Sequence, residues 1–193
     1  LGNKFLGNIR QTDAIIHVLR CFDDSNIAHV NGAIDPVRDK EIIDYELQIK
    51  DLETIDSRIN KVQKQAQTGG DKQAKVAYEV LLRYKLALEQ GKSARTVQFD
   101  TKDEQKIAHD LFLLTNKPVL YLCNVDEASI LKGNRYVDMV REAIQEEGSE
   151  LLVVAAKIES EIAEFEDAEE RGLFLQELGL KESGVNRLIK AAY

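Results

Sequence analysis

Tryptophan is absent from this chain, proline occurs only twice and methionine once. With Pro36 and Pro118 alone to interrupt them, helices can run long. No stretch approaches the roughly 20 apolar residues that cross a bilayer, and no secretory leader is visible, so the expectation is a cytoplasmic protein with no membrane partner. The two cysteines, Cys21 and Cys123, lie far apart at the ends of apolar, strand-like runs and read as buried reduced thiols. Three scattered histidines without a Cys/His cluster indicate no metal site. His17 alternates with Ile15, Leu19 and Cys21 and reads as a core histidine, and no general base or nucleophile stands out.

Charge is abundant and unevenly placed. The chain has 193 residues, 44% hydrophobic and 31% charged, with a net charge of −8. Residues 58–98 carry nine Lys or Arg against Asp71, Glu79 and Glu89, a net of +6, which leaves −14 on the rest. A basic segment on an acidic body implies an anionic partner for that segment, with Lys61, Lys64, Lys72 and Lys75 as its contacts. The competing reading is the solvated face of a coiled coil, and the sequence leaves both open.

Periodicity orders the chain. Phe5, Leu6 and Ile9 have helical spacing, and Ile15 to Phe22 reads as a strand broken by Asp23-Asp24-Ser25-Asn26. From about residue 38 to 67 a long helix is expected, with one apolar stripe through Ile42, Tyr45, Ile49 and Leu52 continuing into Ile55, Ile59, Val62 and Ala66. Thr68-Gly69-Gly70-Asp71 reverses the chain, and Ala74, Ala77, Leu81, Tyr84 and Leu88 form a second stripe. Two such stripes bury each other as an antiparallel hairpin ending near Gly91. Thr101 and Glu104 make a capping box for a short helix. Strands at 118–123 and 151–155 then alternate with helices near 134–147, 158–165, 168–178 and 183–193, the pattern of a parallel α/β sheet.

The richest stretch is Asn124-Val125-Asp126-Glu127, a polar loop directly after the apolar run Pro118 to Cys123. Ligands of doubly wound sheets bind where strands empty into such loops. Guanine-nucleotide-binding proteins have N-K-x-D here; in this chain Val125 takes the Lys position and Glu127 the Asp position, one methylene longer. Adenine lacks the N2 amino group and offers a donor at N6, so the change weakens guanine selection. Leu151 to Lys157 resembles the strand and S-A-K loop that closes over the base, with Ala155 in the Ser position. Residues 1–22 resemble the helix and strand after a D-x-x-G switch. These pieces, in this order and with a helical hairpin between them, resemble the Obg-like ATPase (YchF) family over essentially the whole chain.

The resemblance implies a partial doubly wound parallel-sheet nucleotide-binding domain, residues 1–37 and 100–193, interrupted by a coiled-coil arm at 38–99. It implies ATP hydrolysis in preference to GTP, with Mg as the accompanying ion, and association with the ribosome or RNA through the arm, in a monomer. Base recognition falls to Asn124, Val125, Glu127, Ala155, Ala156 and Lys157. Asn124 faces the adenine edge and Val125 offers a backbone or apolar contact. Glu127 accepts from N6 or caps its own loop. Lys157 either touches the base or starts the next helix. The sequence has no G-x-x-x-x-G-K-[S/T] and no D-x-x-G, hence no phosphate-cradling amides, phosphate-reaching Lys or Mg-binding hydroxyl. The expectation is an internal piece of a longer ATPase that, alone, has negligible ATP affinity and no turnover. A different class of function is a non-enzymatic interaction module in which the α/β body only carries the arm.

Overall fold

The computed structural model describes residues 1–26, 32–68 and 71–192. His29 and the Gly69-Gly70 part of the expected reversal lie outside the described residues. The chain is α/β and divides into two compact units, residues 16–40 with 119–193 and residues 1–15 with 41–118. This division differs from the boundaries drawn at 37/38 and 99/100, because the first fifteen residues and the segment 100–118 group with the hairpin. Among the described residues no helix is long and apolar enough to cross a membrane.

In the first of these units, strands β1 (Ile15–Arg20), β2 (Val119–Asn124) and β3 (Glu150–Val154) form one sheet in that order. β2 and β3 are parallel, with Leu120 opposite Glu150 and Asn124 opposite Val154. β1 runs in step with β2: the Ile15 N–H donates to the Pro118 carbonyl at 2.9 Å and the Cys21 N–H to the Asn124 carbonyl at 2.8 Å. Alternation along the strands sends Leu19, Cys21, Tyr121 and Cys123 into one core with Val137 and Val140 of helix α5 (Arg135–Ala143), the hydrophobic and structural heart of the unit. His17 is half-buried and its ring is tilted against Tyr121, centroids 5.7 Å apart, so it stands at the margin of the core and not within it. Lys40 is almost fully buried; its Nζ lies 2.6 Å from Glu147, which also accepts from the Tyr121 hydroxyl at 2.8 Å.

The second unit is helical. Helix α2 (Pro36–Thr68), of which residues 41–68 belong to this unit, starts two residues earlier than the apolar period shows. Pro36 occupies its first turn, where a missing N–H costs nothing, and the Asp35 side chain accepts from the Arg38 N–H at 3.0 Å. Asp71 caps α3 (Lys72–Glu89) by accepting from Gln73 and Ala74. Ile55 of α2 packs with Val80, Leu81, Tyr84 and Leu88 of α3, and Tyr84 meets Phe99 edge-on. The Thr101/Glu104 capping box forms and starts α4 (Lys102–Asp110). Helix α1 (Asn3–Arg10) buries Leu6 against Leu47 and Leu114.

One part of the expected stripe is not in the core. Ile42, Tyr45 and Ile49 are 48%, 64% and 43% exposed, whereas Leu47 and Asp51 on another face are buried. The Gln48 amide donates to the Gly91 carbonyl, so α3 has already ended where these residues stand. Among the described residues no helix covers them, and α1 takes the Leu47 face instead.

Candidate functional site

The register that sets Asn124 opposite Val154 makes the loops at the carboxyl ends of β2 and β3 emerge side by side. The side-chain carbonyl of Asn124 accepts the Ala156 N–H at 2.9 Å, and the Val125 N–H donates to the Val154 carbonyl at 2.9 Å. The two loops singled out from the sequence are therefore joined directly. Asn124 is half-buried, and its Nδ2 has no partner among the described residues, leaving one oriented donor at the carboxyl edge of the sheet.

Val125 has a different place from the one expected. It is 4% exposed and belongs to the core with Ile130 and Val137, so neither its side chain nor its N–H faces a ligand. Asp126 turns back and accepts from the Ser129 N–H at 2.9 Å, capping the single 3-10 turn Glu127–Ser129. Asp126, not Glu127, is thus the residue that caps the loop. Glu127 begins the turn, is exposed, and its carboxylate has no partner among the described residues.

On the other loop, Ala155 is 1% exposed and occupies the N-cap of helix α6 (Ala156–Glu164). Having no side-chain oxygen Ala155 cannot cap the helix itself; Asn124 takes the Ala156 N–H in its place, and the Lys157 and Ile158 amides have no side-chain cap, at the positive end of the helix dipole. Ala156 and Lys157 are exposed, and Lys157 makes no ion pair among the described residues. Chemically the arrangement offers a neutral donor at Asn124, an acceptor-only carboxylate at Glu127 and the start of α6, whose first amide Asn124 already holds. It has no nucleophile paired with a base, and among the described residues no group of three His, Cys, Asp or Glu could hold a metal ion.

Two elements hold the site's helices in place that sequence reasoning did not find. Glu159 of α6 reaches helix α8 (Gly184–Ala192), which follows α7 (Ala168–Glu177) in the chain, and accepts from Gly184 N–H at 2.6 Å and Val185 N–H at 3.0 Å. Asn134 caps α5 and bonds to the residue that follows β1; an Asn just before an amphipathic helix was the available signal.

The basic residues separate into two groups. Lys61, Lys64, Lys72 and Lys75 are all exposed, and Lys61, Lys72 and Lys75 make no ion pair among the described residues. Arg83 and Lys85, further from the reversal, are instead paired with Glu104 at 3.0 Å and Asp56 at 2.7 Å.

No protein-family model matches the chain. Over its full length it is 51% identical to the ribosome-binding ATPase YchF of Bacillus subtilis (strain 168) and 46% identical to the protein of the same name from Escherichia coli O157:H7, covering 52% of each. It superposes on the structure of the Schizosaccharomyces pombe YchF GTPase with a TM-score of 0.88 at 31% identity, over all of this chain and 52% of that one. The chain spans about half the length of the relatives it matches. The bacterial relatives are named ATPases and the yeast protein a GTPase.

Proposed function

Since the chain corresponds from end to end to a segment of the YchF proteins, we propose that it is the base-recognising and hairpin-bearing part of a nucleotide hydrolase that prefers ATP to GTP. The observation that carries this reading is the 2.9 Å bond between Asn124 and Ala156, which leaves the Asn124 Nδ2 and the Glu127 carboxylate without partners among the described residues. Purine N7 accepts in both adenine and guanine, so a donor at Asn124 holds either base without choosing. The choice falls to Glu127, whose carboxylate accepts from the adenine N6 amino group. The grip on the phosphates and Mg belongs to the intact protein.

The test is Glu127→Asp in the full-length protein, with Val125 left alone because it serves the core. Shortening the acceptor toward the guanine-type loop lowers the ATP-to-GTP affinity ratio by roughly three- to tenfold, the worth of about one hydrogen bond. An unmoved ratio in titration calorimetry removes Glu127 from base selection.

Ribosome association is the second half of the proposal. Its support is the name shared by the bacterial relatives and the exposed cations Lys61, Lys64, Lys72 and Lys75, with a cytoplasmic location following from that partner. A reading from another class, an interaction module independent of nucleotide, draws on the hairpin unit having its own core around Ile55, Val80 and Tyr84. Ribosome co-sedimentation of a full-length variant unable to bind ATP separates the two: undiminished association favours the module.

A further inference from the structure

Asn124 and Glu127 are useful to a base only if the loop between β2 and α5 is held still, and nothing in its composition does that. Its one aliphatic anchor pair, Val125 and Ile130, points into the core, while Asp126, Glu127 and Ala128 are exposed. The loop is closed at its far end by one side chain. The Asn134 Nδ2 donates to the Cys21 carbonyl at 2.7 Å and to Ser129 Oγ at 3.3 Å. Its Oδ1 accepts from the Tyr136 N–H at 3.0 Å and the Val137 N–H at 3.2 Å.

These bonds form a ring. The Cys21 N–H donates to the Asn124 carbonyl, and the Cys21 carbonyl accepts from Asn134, so the single residue that follows β1 spans both ends of the loop. Ser129, held by Asn134 on one side, donates its N–H to Asp126, whose turn contains Glu127. Gly133, at φ +73°, gives the chain the left-handed step that brings Asn134 around, and its N–H donates to the Ser129 carbonyl at 2.7 Å. We infer that Asn134 is a positioning residue for base selection: its carboxamide fixes the Glu127 turn against the end of β1 while capping α5. This rests on the nucleotide reading above and adds to it the residue that sets where Glu127 stands.

The two faces of the carboxamide can be tested apart in the full-length protein. Asn134→Asp keeps the oxygen that accepts from Tyr136 and Val137 and loses the donor to Cys21. The expected result is a melting temperature within a few degrees of wild type, faster amide exchange confined to residues 125–133, and an ATP-to-GTP affinity ratio lowered roughly three- to tenfold. Asn134→Ala loses both functions and also destabilises the fold. Should Asn134→Asp fold poorly, Ser129→Ala removes one acceptor of the ring without touching the cap, and the same exchange and affinity measurements apply. Faster exchange with an unchanged ratio, or an unchanged loop, overturns the inference while wild-type discrimination stands. A wild-type protein that does not distinguish ATP from GTP overturns the underlying reading, and this inference with it.

Discussion

At the scale of single residues the least expected side chain is Asp51, a carboxylate with 0% exposure inside a long helix. It accepts from the Leu114 N–H at 2.8 Å, the Thr115 N–H at 2.7 Å and Thr115 Oγ1 at 2.8 Å, fastening α2 to the segment that leads into β2. Burial pushes its carboxyl above the usual carboxylate range, against the lowering effect of those bonds. A raised native value means that the stabilising contribution is complete below the unfolded pKa and declines as pH rises through the native one. Asn in its place brings an amide donor to face the Thr115 donors. Asp51→Asn is expected to lower stability by about 1–3 kcal/mol near neutral pH and to remove this residue's part of the pH slope. Urea midpoints for both proteins across the weakly acidic range read out each effect. Nothing in the sequence marks Asp51, because its partners lie in a segment far along the chain. The exposed place of Glu127 in its loop is legible, since a polar turn after an apolar strand is set by neighbours in sequence. The burial of the Val125 side chain is not legible, because register decides which loop side chains point inward.

Elements are more legible in the sequence than their packing. The strands, the capping box at Thr101 and the stop at Gly179, where φ is +72°, all stand close to where local signals put them. The Ile42, Tyr45 and Ile49 stripe has the right period yet is left exposed, because α3 is 18 residues long against 33 for α2. Period identifies a helix and one apolar face; only the length of the opposing helix decides how much of that face is covered. The clamp from Glu159 to α8 belongs to this scale too. Its carboxylate takes two orphan amides at a helix start, and Gly184 leaves no space there for a Cβ, which would sit 2.8 Å from Glu159 Oε1 and 2.9 Å from Val154. Glu159→Ala is expected to cost about 0.5–2 kcal/mol and to loosen α8 selectively, seen as accelerated exchange of its first-turn amides.

At the scale of the whole molecule the feature that matters is how charge is divided. Nearest the reversal, Lys61, Lys72 and Lys75 make no ion pair among the described residues, while Arg83 and Lys85 are committed to Glu104 and Asp56. Replacing Lys61, Lys64, Lys72 and Lys75 with Gln in the full-length protein is expected to weaken RNA or ribosome binding. The dependence of binding on salt should flatten by about 0.7 log units for each phosphate no longer neutralised. Filter binding across a salt series reads the slope, and an unchanged slope assigns the cluster to solubility. The charge split is plain in the sequence, but which cations are already spoken for is not, since Asp56 and Glu104 lie on other helices. Placing Val125 in the core has one more consequence, for how base preference can evolve. A lysine at this position has to displace packing against Ile130 and Val137 before it can reach solvent. Turning this loop toward the lysine-bearing kind therefore carries a cost in packing as well as a change in base chemistry, and smaller side chains around position 125 would offset it.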